Sequence, residues 1–257
     1  MKRAWIQILR LMICCGIVTG AGVALTHGML KSLKGQTPLS LYSNLNNSIA
    51  PIHSPGYTQA IKKSRLSAVR IMSGDSEGGG FATSSGTYFM ARGKHYVVTV
   101  FHGLLGPCDT THISYEENFY DCKEFIAVDV NEDYAIIEVE PIPTRTPIKI
   151  PTHLPSEQGW KDSYSILNQI VYTGYPNTLG PLTLRGDVVG FEDTEYMYVF
   201  SYAWGGSSGS GVFDKAGNYV GYIIAIDVGQ TEFGVDVLEN VVLVVPSFKI
   251  DWSTVLN

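Results

Sequence analysis

The sequence predicts an all-β protein of two successive antiparallel six-stranded barrels behind an N-terminal apolar helix. Three observations carry this. Short runs of β-branched and aromatic residues recur in two sets separated by turn clusters. A proline-dense stretch, with Pro141, Pro143, Pro147, Pro151 and Pro155, divides the sets at a density that neither a sheet interior nor a helix accepts. Near the N-terminus an uncharged apolar run stands apart from the rest of the chain.

That run occupies residues 11–25, fifteen without a charge, behind Met1-Lys2-Arg3 and Arg10. Positive charge ahead of an apolar segment keeps the N-terminus cytoplasmic and sends the downstream chain across the membrane. Gly22-Val23-Ala24 offers a small-residue cleavage site, whereas counting 4–30 as one span makes an anchor interrupted by Arg10. Residues 1–30 are therefore expected to be a signal peptide or membrane anchor, with the anchor favoured because Lys31 and Lys34 come so late. Residues 31–64, rich in Ser, Asn, Pro and Gly, are expected to form a poorly ordered tether.

The first barrel is expected over 65–140, with strands at 68–72, 80–91, 95–101, 112–115, 123–130 and 134–140 and turns at 73–79 and 92–94. None of these runs has the length or period of a sizeable helix. The Pro-rich connector spans 141–160, and the second barrel, 161–257, is assigned strands at 169–174, 182–192, 196–202, 211–213, 219–227 and 240–245. Asp214-Lys215-Ala216-Gly217-Asn218 is hairpin chemistry, with Gly217 available for a positive φ. Residues 247–256 are expected to make a terminal helix that packs back.

Composition limits the partners. With 18 basic and 24 acidic residues the net charge is −6 and no Lys/Arg run occurs, which argues against nucleic acid. Cys14 and Cys15 lie in the apolar run, and Cys108 and Cys122 could close a loop as a disulfide if the body is exported. No His or Cys spacing resembles a zinc site, and no metal or cofactor is expected.

Three segments bear on chemistry. Trp204-Gly205-Gly206-Ser207-Ser208-Gly209-Ser210-Gly211 can turn tightly enough to aim neighbouring amide N–H groups at one point, as oxyanion stabilisation requires; its composition equally suits a flexible linker. Tyr96-Val97-Val98-Thr99-Val100-Phe101-His102 ends an apolar strand with a histidine, and Asp133-Tyr134-Ala135-Ile136-Ile137 opens one with a carboxylate. Singly, each suits a structural residue. In this order, at intervals of 31 residues from His102 to Asp133 and 75 from Asp133 to Ser208, they resemble the motifs of the trypsin/chymotrypsin-like serine proteases. There a Thr-Ala-Ala-His strand, an Asp-Leu-Ala-Leu-Leu strand and a Gly-Asp-Ser-Gly-Gly-Pro turn stand in the same sequence. The resemblance covers about 67–245, and its short intervals are closer to compact HtrA-like and viral trypsin-like members.

The resemblance implies a serine endopeptidase with a His102, Asp133 and Ser208 triad acting through an acyl-enzyme, and an oxyanion hole from the N–H groups of Gly206 and Ser208. It also implies a peptide or protein substrate. A side-chain pocket is expected from Tyr202, Ala203, Trp204, Ile224, Ala225 and Ile226, giving an apolar or aromatic preference unless Asp227 makes it basic. The peptide is expected to pair along strand edges near 222–226. Ser207 fits Gly-x-Ser-x-Gly, but that fold places its histidine after the serine, and the last histidine here is His153. The subtilisin order would need an Asp before His102 and a helix carrying the serine, and neither is supported.

Departures matter too. Ser207 stands where many zymogens have an Asp that pairs with a new N-terminus, and no Arg-Ile-Val-Gly-Gly-like sequence precedes the first barrel, so that activation route is not expected. Phe101 and Trp204 are bulkier than usual, and no room is expected after the second barrel for a peptide-binding module. The alternative is a catalytically silent barrel pair acting as a membrane-tethered module that binds peptides or a partner. Expected localisation is membrane-anchored or exported, with the body on the extracytoplasmic side, or a viral protein in host membranes.

Overall fold

The computed structural model describes residues 55–75, 79–150, 156–192, 196–231 and 234–256, all within one compact unit. The expected apolar helix at 1–30 lies outside them, and no helix among the described residues is long and apolar enough to cross a membrane.

The first barrel contains β1 (Ala68–Gly74), β2 (Phe81–Ala91), β3 (Lys94–Val100), β4 (Thr111–Tyr115), β5 (Asn118–Asp129) and β6 (Tyr134–Val139). They run in the order β1-β4-β5-β6-β3-β2 and close by pairing β2 with β1. A short strand in the connector, β7 (Ile148–Lys149), adds to β2 in parallel. The second barrel contains β8 (Gln169–Gly174), β9 (Leu182–Glu192), β10 (Tyr196–Phe200), β11 (Gly211–Asp214), β12 (Tyr219–Thr231) and β13 (Gly234–Pro246). These close in the order β10-β13-β12-β11-β8-β9.

The strands β3 and β6 read as continuous apolar runs because both faces are buried. Val97 and Ile137 point into the first barrel with Ile71 and Ile113. Val98, Val100, Tyr134 and Ile136 point the other way, into a cluster shared with Tyr222, Val245, Ile250 and Trp252 from the second half of the chain. The end of β3 and the start of β6 thus lie where the barrels meet.

Two helices depart from the expected pattern. Thr58–Ser67 forms α1, packed on the second barrel, so the last residues of the tether expected over 31–64 are helical; 31–54 lie outside the described residues. Its buried face is Ala60, Ser64 and Ser67, spaced as one helical side but too small and polar to register as apolar periodicity. Ser64 Oγ donates to Thr173 Oγ1 at 2.6 Å, and Lys63 Nζ to the Gly217 carbonyl at 2.7 Å. In the connector, Glu157–Ser163 forms α2, capped by Ser156, whose hydroxyl accepts from the Gly159 N–H at 3.1 Å. Its Trp160 is buried in the second barrel, the indole N–H donating to the Val220 carbonyl at 2.9 Å.

The hairpin β12–β13 is longer than the expected strands at 219–227 and 240–245. The tail, expected as one helix over 247–256, is a 3-10 turn at Ser247–Lys249 and then α3 (Ser253–Leu256), and its Ile250, Trp252 and Val255 pack back between the barrels. Cys108 and Cys122 are disulfide-bonded, Cα atoms 5.2 Å apart, tying the segment after His102 to β5.

Candidate active site

In the antiparallel pairing of β3 with β6, Val100 faces Tyr134, so residues just past the end of β3 fall beside those just before β6. Phe101 N–H donates to the Asp133 carbonyl at 3.1 Å. His102 N–H donates to Asp133 Oδ1 at 2.8 Å, and His102 Nδ1 lies 2.5 Å from Asp133 Oδ2. Both carboxylate oxygens are therefore spent on one residue. A carboxylate partner places the imidazole proton on Nδ1 and leaves Nε2 as the basic nitrogen, and the ring is about half exposed. Asp133 holds φ 55, a left-handed conformation that persists only where surrounding bonds fix it.

The serine-rich turn is a built structure, not a linker. Ser207 N–H donates to the Trp204 carbonyl at 2.8 Å, closing a four-residue turn whose third residue, Gly206, has φ 92, the sign a type II turn requires. Ser207 and Ser210 are 2% and 0% exposed, with their hydroxyls in local bonds to the Trp204 N–H and the Ser207 carbonyl. Ser208 alone of the three is partly exposed, and its hydroxyl donates to the Ile224 carbonyl at 3.0 Å. Among the described residues, that hydroxyl is not bonded to His102. The N–H groups of Gly206 and Ser208 also have no protein partner among those residues.

Contacts between the barrels bring the parts together. Ser85 N–H on β2 donates to the Ser208 carbonyl at 2.7 Å, and Thr99 Oγ1, three residues before His102, donates to the Ser85 carbonyl at 2.7 Å. Gly209, at φ 86, lies so close that an added Cβ would be 2.0 Å from the Ser85 carbonyl oxygen. On the other side, Tyr222 OH donates to the Glu132 carbonyl at 2.5 Å, adjoining Asp133. Burial raises the Tyr222 phenol above its ordinary range, so it remains a neutral donor.

The expected pocket residues divide. Tyr202 and Trp204 are exposed and stack on each other, centroids 6.1 Å apart and planes 11° from parallel. Ala203, expected to line the pocket, instead points into the core of the second barrel, because the chain alternates sides there. Ile224 packs its side chain against the cluster between the barrels and presents its carbonyl to Ser208. The side chains of Ala225 and Ile226 are not among those described; their backbone pairs with Leu243 and Val242. Since β11 pairs with β12 only as far as Tyr222, the edge of β12 facing away from β13 opens after Ile223, a little beyond the start of the expected docking edge at 222–226. Among the described residues no group of three or more His, Cys, Asp or Glu is placed to hold a metal ion.

Ser85 was missed by sequence reasoning, and Tyr222 was expected only as the start of the docking edge, not as the donor to the Glu132 carbonyl. A faint signal existed for Ser85: Thr83-Ser84-Ser85-Gly86-Thr87 is a small, polar run in the middle of a strand, and Ser84, Ser85 and Thr87 are all buried.

Comparison with known proteins agrees with this architecture. No curated protein matches the sequence. Among solved structures, the active form of the Rv3671c protease from M. tuberculosis superposes with a TM-score of 0.58 at 14% identity, covering 79% of this chain and 87% of that one. A serine endoprotease from Yersinia pestis gives 0.55 at 16% identity, covering 74% of this chain and 62% of that one. The HtrA-type protease AlgW with a tripeptide gives 0.54 at 16% identity, covering 74% and 60%. This chain thus spans about three fifths of the length of the latter two. Residues 78–221, more than half of the chain and the stretch that holds His102, Asp133 and Ser208, match the model of the trypsin-like peptidase domain, and the chain belongs to that family.

Proposed function

We propose that the protein is a serine endopeptidase in which Ser208 is the nucleophile, His102 the general base and Asp133 the group that orients and stabilises the imidazole. The observation that carries this is the His102–Asp133 pair, doubly bonded through one carboxylate, together with a turn that holds one accessible serine and two N–H groups without a protein partner among the described residues. Ser208 Oγ would attack the substrate carbonyl while its proton passes to His102 Nε2, and the N–H groups of Gly206 and Ser208 would receive the oxyanion. The C–N bond then breaks, the amine leaves with the proton from Nε2, and water hydrolyses the acyl-enzyme by the same base. The open β12 edge beyond Ile223 suits an extended peptide, and the Tyr202/Trp204 stack suits an apolar or aromatic side chain.

A second reading is favoured by one observation: the Ser208 hydroxyl is engaged with the Ile224 carbonyl. A barrel pair held in that state would bind peptides without cutting them. The experiment that separates the two is labelling by a serine-reactive phosphonate with a peptide-library cleavage assay, on wild type and Ser208→Ala. The peptidase reading expects both activities in wild type and neither in the variant; a silent module gives neither in either protein.

The domain plan read from the sequence is part of the proposal: residues 1–30 targeting, and the body on the extracytoplasmic side. The Cys108–Cys122 disulfide supports an oxidising compartment. Membrane extraction and protease protection of the full chain would test it, and a body digested only after the membrane is opened on its cytoplasmic side would count against it.

A further inference from the structure

We infer that Ser85 is a positioning residue that fixes the Gly206–Ser207 peptide, the plane next to the one whose N–H enters the oxyanion hole, and so keeps that N–H in its working orientation, resting on the proposed nucleophile Ser208. Every polar atom of Ser85, which is 0% exposed, is committed across the barrel interface. Its N–H donates to the Ser208 carbonyl at 2.7 Å and its carbonyl accepts from Thr99 Oγ1 at 2.7 Å. Its hydroxyl accepts from the Tyr175 N–H at 2.8 Å and donates to the Gly206 carbonyl at 2.7 Å. Because the Tyr175 N–H occupies a lone pair of that oxygen, the hydroxyl proton is directed at Gly206.

Peptide geometry gives this bond its effect. In a trans peptide the C=O and the next N–H point in opposite directions. The Gly205 carbonyl is held by the Asn177 N–H at 2.7 Å, so the N–H of the same plane, that of Gly206, is turned to the opposite side. The Ser85 hydroxyl fixes the next plane through the Gly206 carbonyl. Gly206 at φ 92 has a backbone that could otherwise rotate easily, and with the Gly206–Ser207 plane loose the preceding plane could turn over and put the Gly205 carbonyl where the oxyanion should sit. With both carbonyls held, the Gly206 N–H is presented without any contribution from a cut N-terminus, which suits a chain with Ser207 where an ion-pairing Asp would otherwise stand. Asn177 is itself at φ 48, so its N–H is held in place by a constrained 3-10 turn (Pro176–Thr178).

The test compares Ser85→Ala, Ser85→Cys and Ser84→Ala with wild type in the full chain, reading kcat, KM, phosphonate labelling rate and thermal melting. Ser84 is a buried neighbour whose hydroxyl meets Thr99 Oγ1 and nothing in the nucleophile turn, so its loss reports the generic cost of removing a buried hydroxyl. The expected result for Ser85→Ala is a fall in kcat of about ten- to a hundredfold with KM within about twofold, and a parallel fall in labelling rate, since both reactions load the same hole. Ser85→Cys, nearly isosteric, folds and loses less; if Ser85→Ala does not fold, the kcat-against-KM split in Ser85→Cys decides. A Ser85 variant that is folded with wild-type kcat, or a loss matched by Ser84→Ala, overturns the inference. Absence of labelling in wild type overturns the peptidase reading itself, a separate outcome.

Discussion

Tyr222 of the second barrel donates its phenolic proton to the carbonyl of Glu132 in the first, 2.5 Å away and one residue before Asp133. The bond ties the strand leading to Ile224, the acceptor of the Ser208 hydroxyl, to the segment that holds the carboxylate at φ 55. Tyr222→Phe keeps the ring in its fully buried place and removes only this bond. The expected cost is about 1 kcal/mol of stability from the lost bond, with a larger relative loss in kcat than in KM because Asp133 is less firmly held. Denaturant titration and steady-state kinetics on the same preparation check it; wild-type kcat would show that Asp133 is positioned without Tyr222.

The first barrel was legible where burial wrote itself into the sequence. The runs of β3 and β6 are apolar on both faces because Val97 and Ile137 fill one core while Val98 and Ile136 fill another, and their junctions with polar residues marked His102 and Asp133. The helix α1 was illegible for the opposite reason. Ala60, Ser64 and Ser67 let it lie close to β8, and closeness calls for small side chains, which leave no hydrophobic period. β7 is two residues of edge pairing among prolines and has no pattern of its own. The three serines of the turn look alike in sequence, and their difference in burial comes from the folded turn itself, which draws the Ser207 and Ser210 hydroxyls into its own bonds. The inward turn of Ala203 likewise depends on the pairing of its neighbours in space.

Two positive-φ glycines predict a contrast. Gly93 turns β2 into β3 at φ 77 with nothing within 4 Å of an added Cβ, whereas Gly209 at φ 86 would place one 2.0 Å from the Ser85 carbonyl oxygen. Gly93→Ala should cost about 1 kcal/mol, the conformational strain alone. Gly209→Ala should cost about 2 to 4 kcal/mol, because one barrel must also move from the other. Equal midpoints in urea would mean that the interface yields freely at Gly209.

The Cys108–Cys122 bond closes a loop 14 residues apart in sequence, which corresponds to about 3 kcal/mol if its effect is to restrict the unfolded chain. The paired change to serine should lower the free energy of unfolding by about that amount, seen as a lower melting temperature, while the native backbone persists. Leu105 N–H and Gly106 N–H are independently held by Ser73 Oγ at 2.9 and 3.4 Å, and Thr110 Oγ1 donates to the Gly74 carbonyl at 2.8 Å. Activity below the melting temperature should therefore survive reduction. An immediate loss on adding reductant, with no change in circular dichroism, would show that the loop after His102 relies on the disulfide for its catalytic geometry.

Buried tyrosines predict how the fold fails in base. Burial pushes the Tyr172 phenol up to about 12, opposed by a weaker hydrogen-bonding contribution from Ser201, and burial also raises Tyr164, Tyr175, Tyr219 and Tyr222 above the ordinary tyrosine range. The phenol of Tyr219 has no hydrogen-bond partner among the described residues, so nothing there would offset the cost of ionising it in place. A phenol whose folded pKa lies above its unfolded value of 10 favours the fold fully below pH 10. Above that, the unfolded chain releases its proton first, and the stabilisation drains away as pH rises towards the folded value. For Tyr172 the difference amounts to about 2 to 3 kcal/mol, lost between about pH 10 and 12. The five act together, so unfolding should be steep in pH, with phenolate absorbance and loss of far-ultraviolet circular dichroism rising in one transition. Tyr172→Phe removes one titrating group and should make the transition shallower in pH. Phenolate absorbance that climbs to its full value while the barrels stay folded would mean that these side chains reach solvent without unfolding, contrary to their burial.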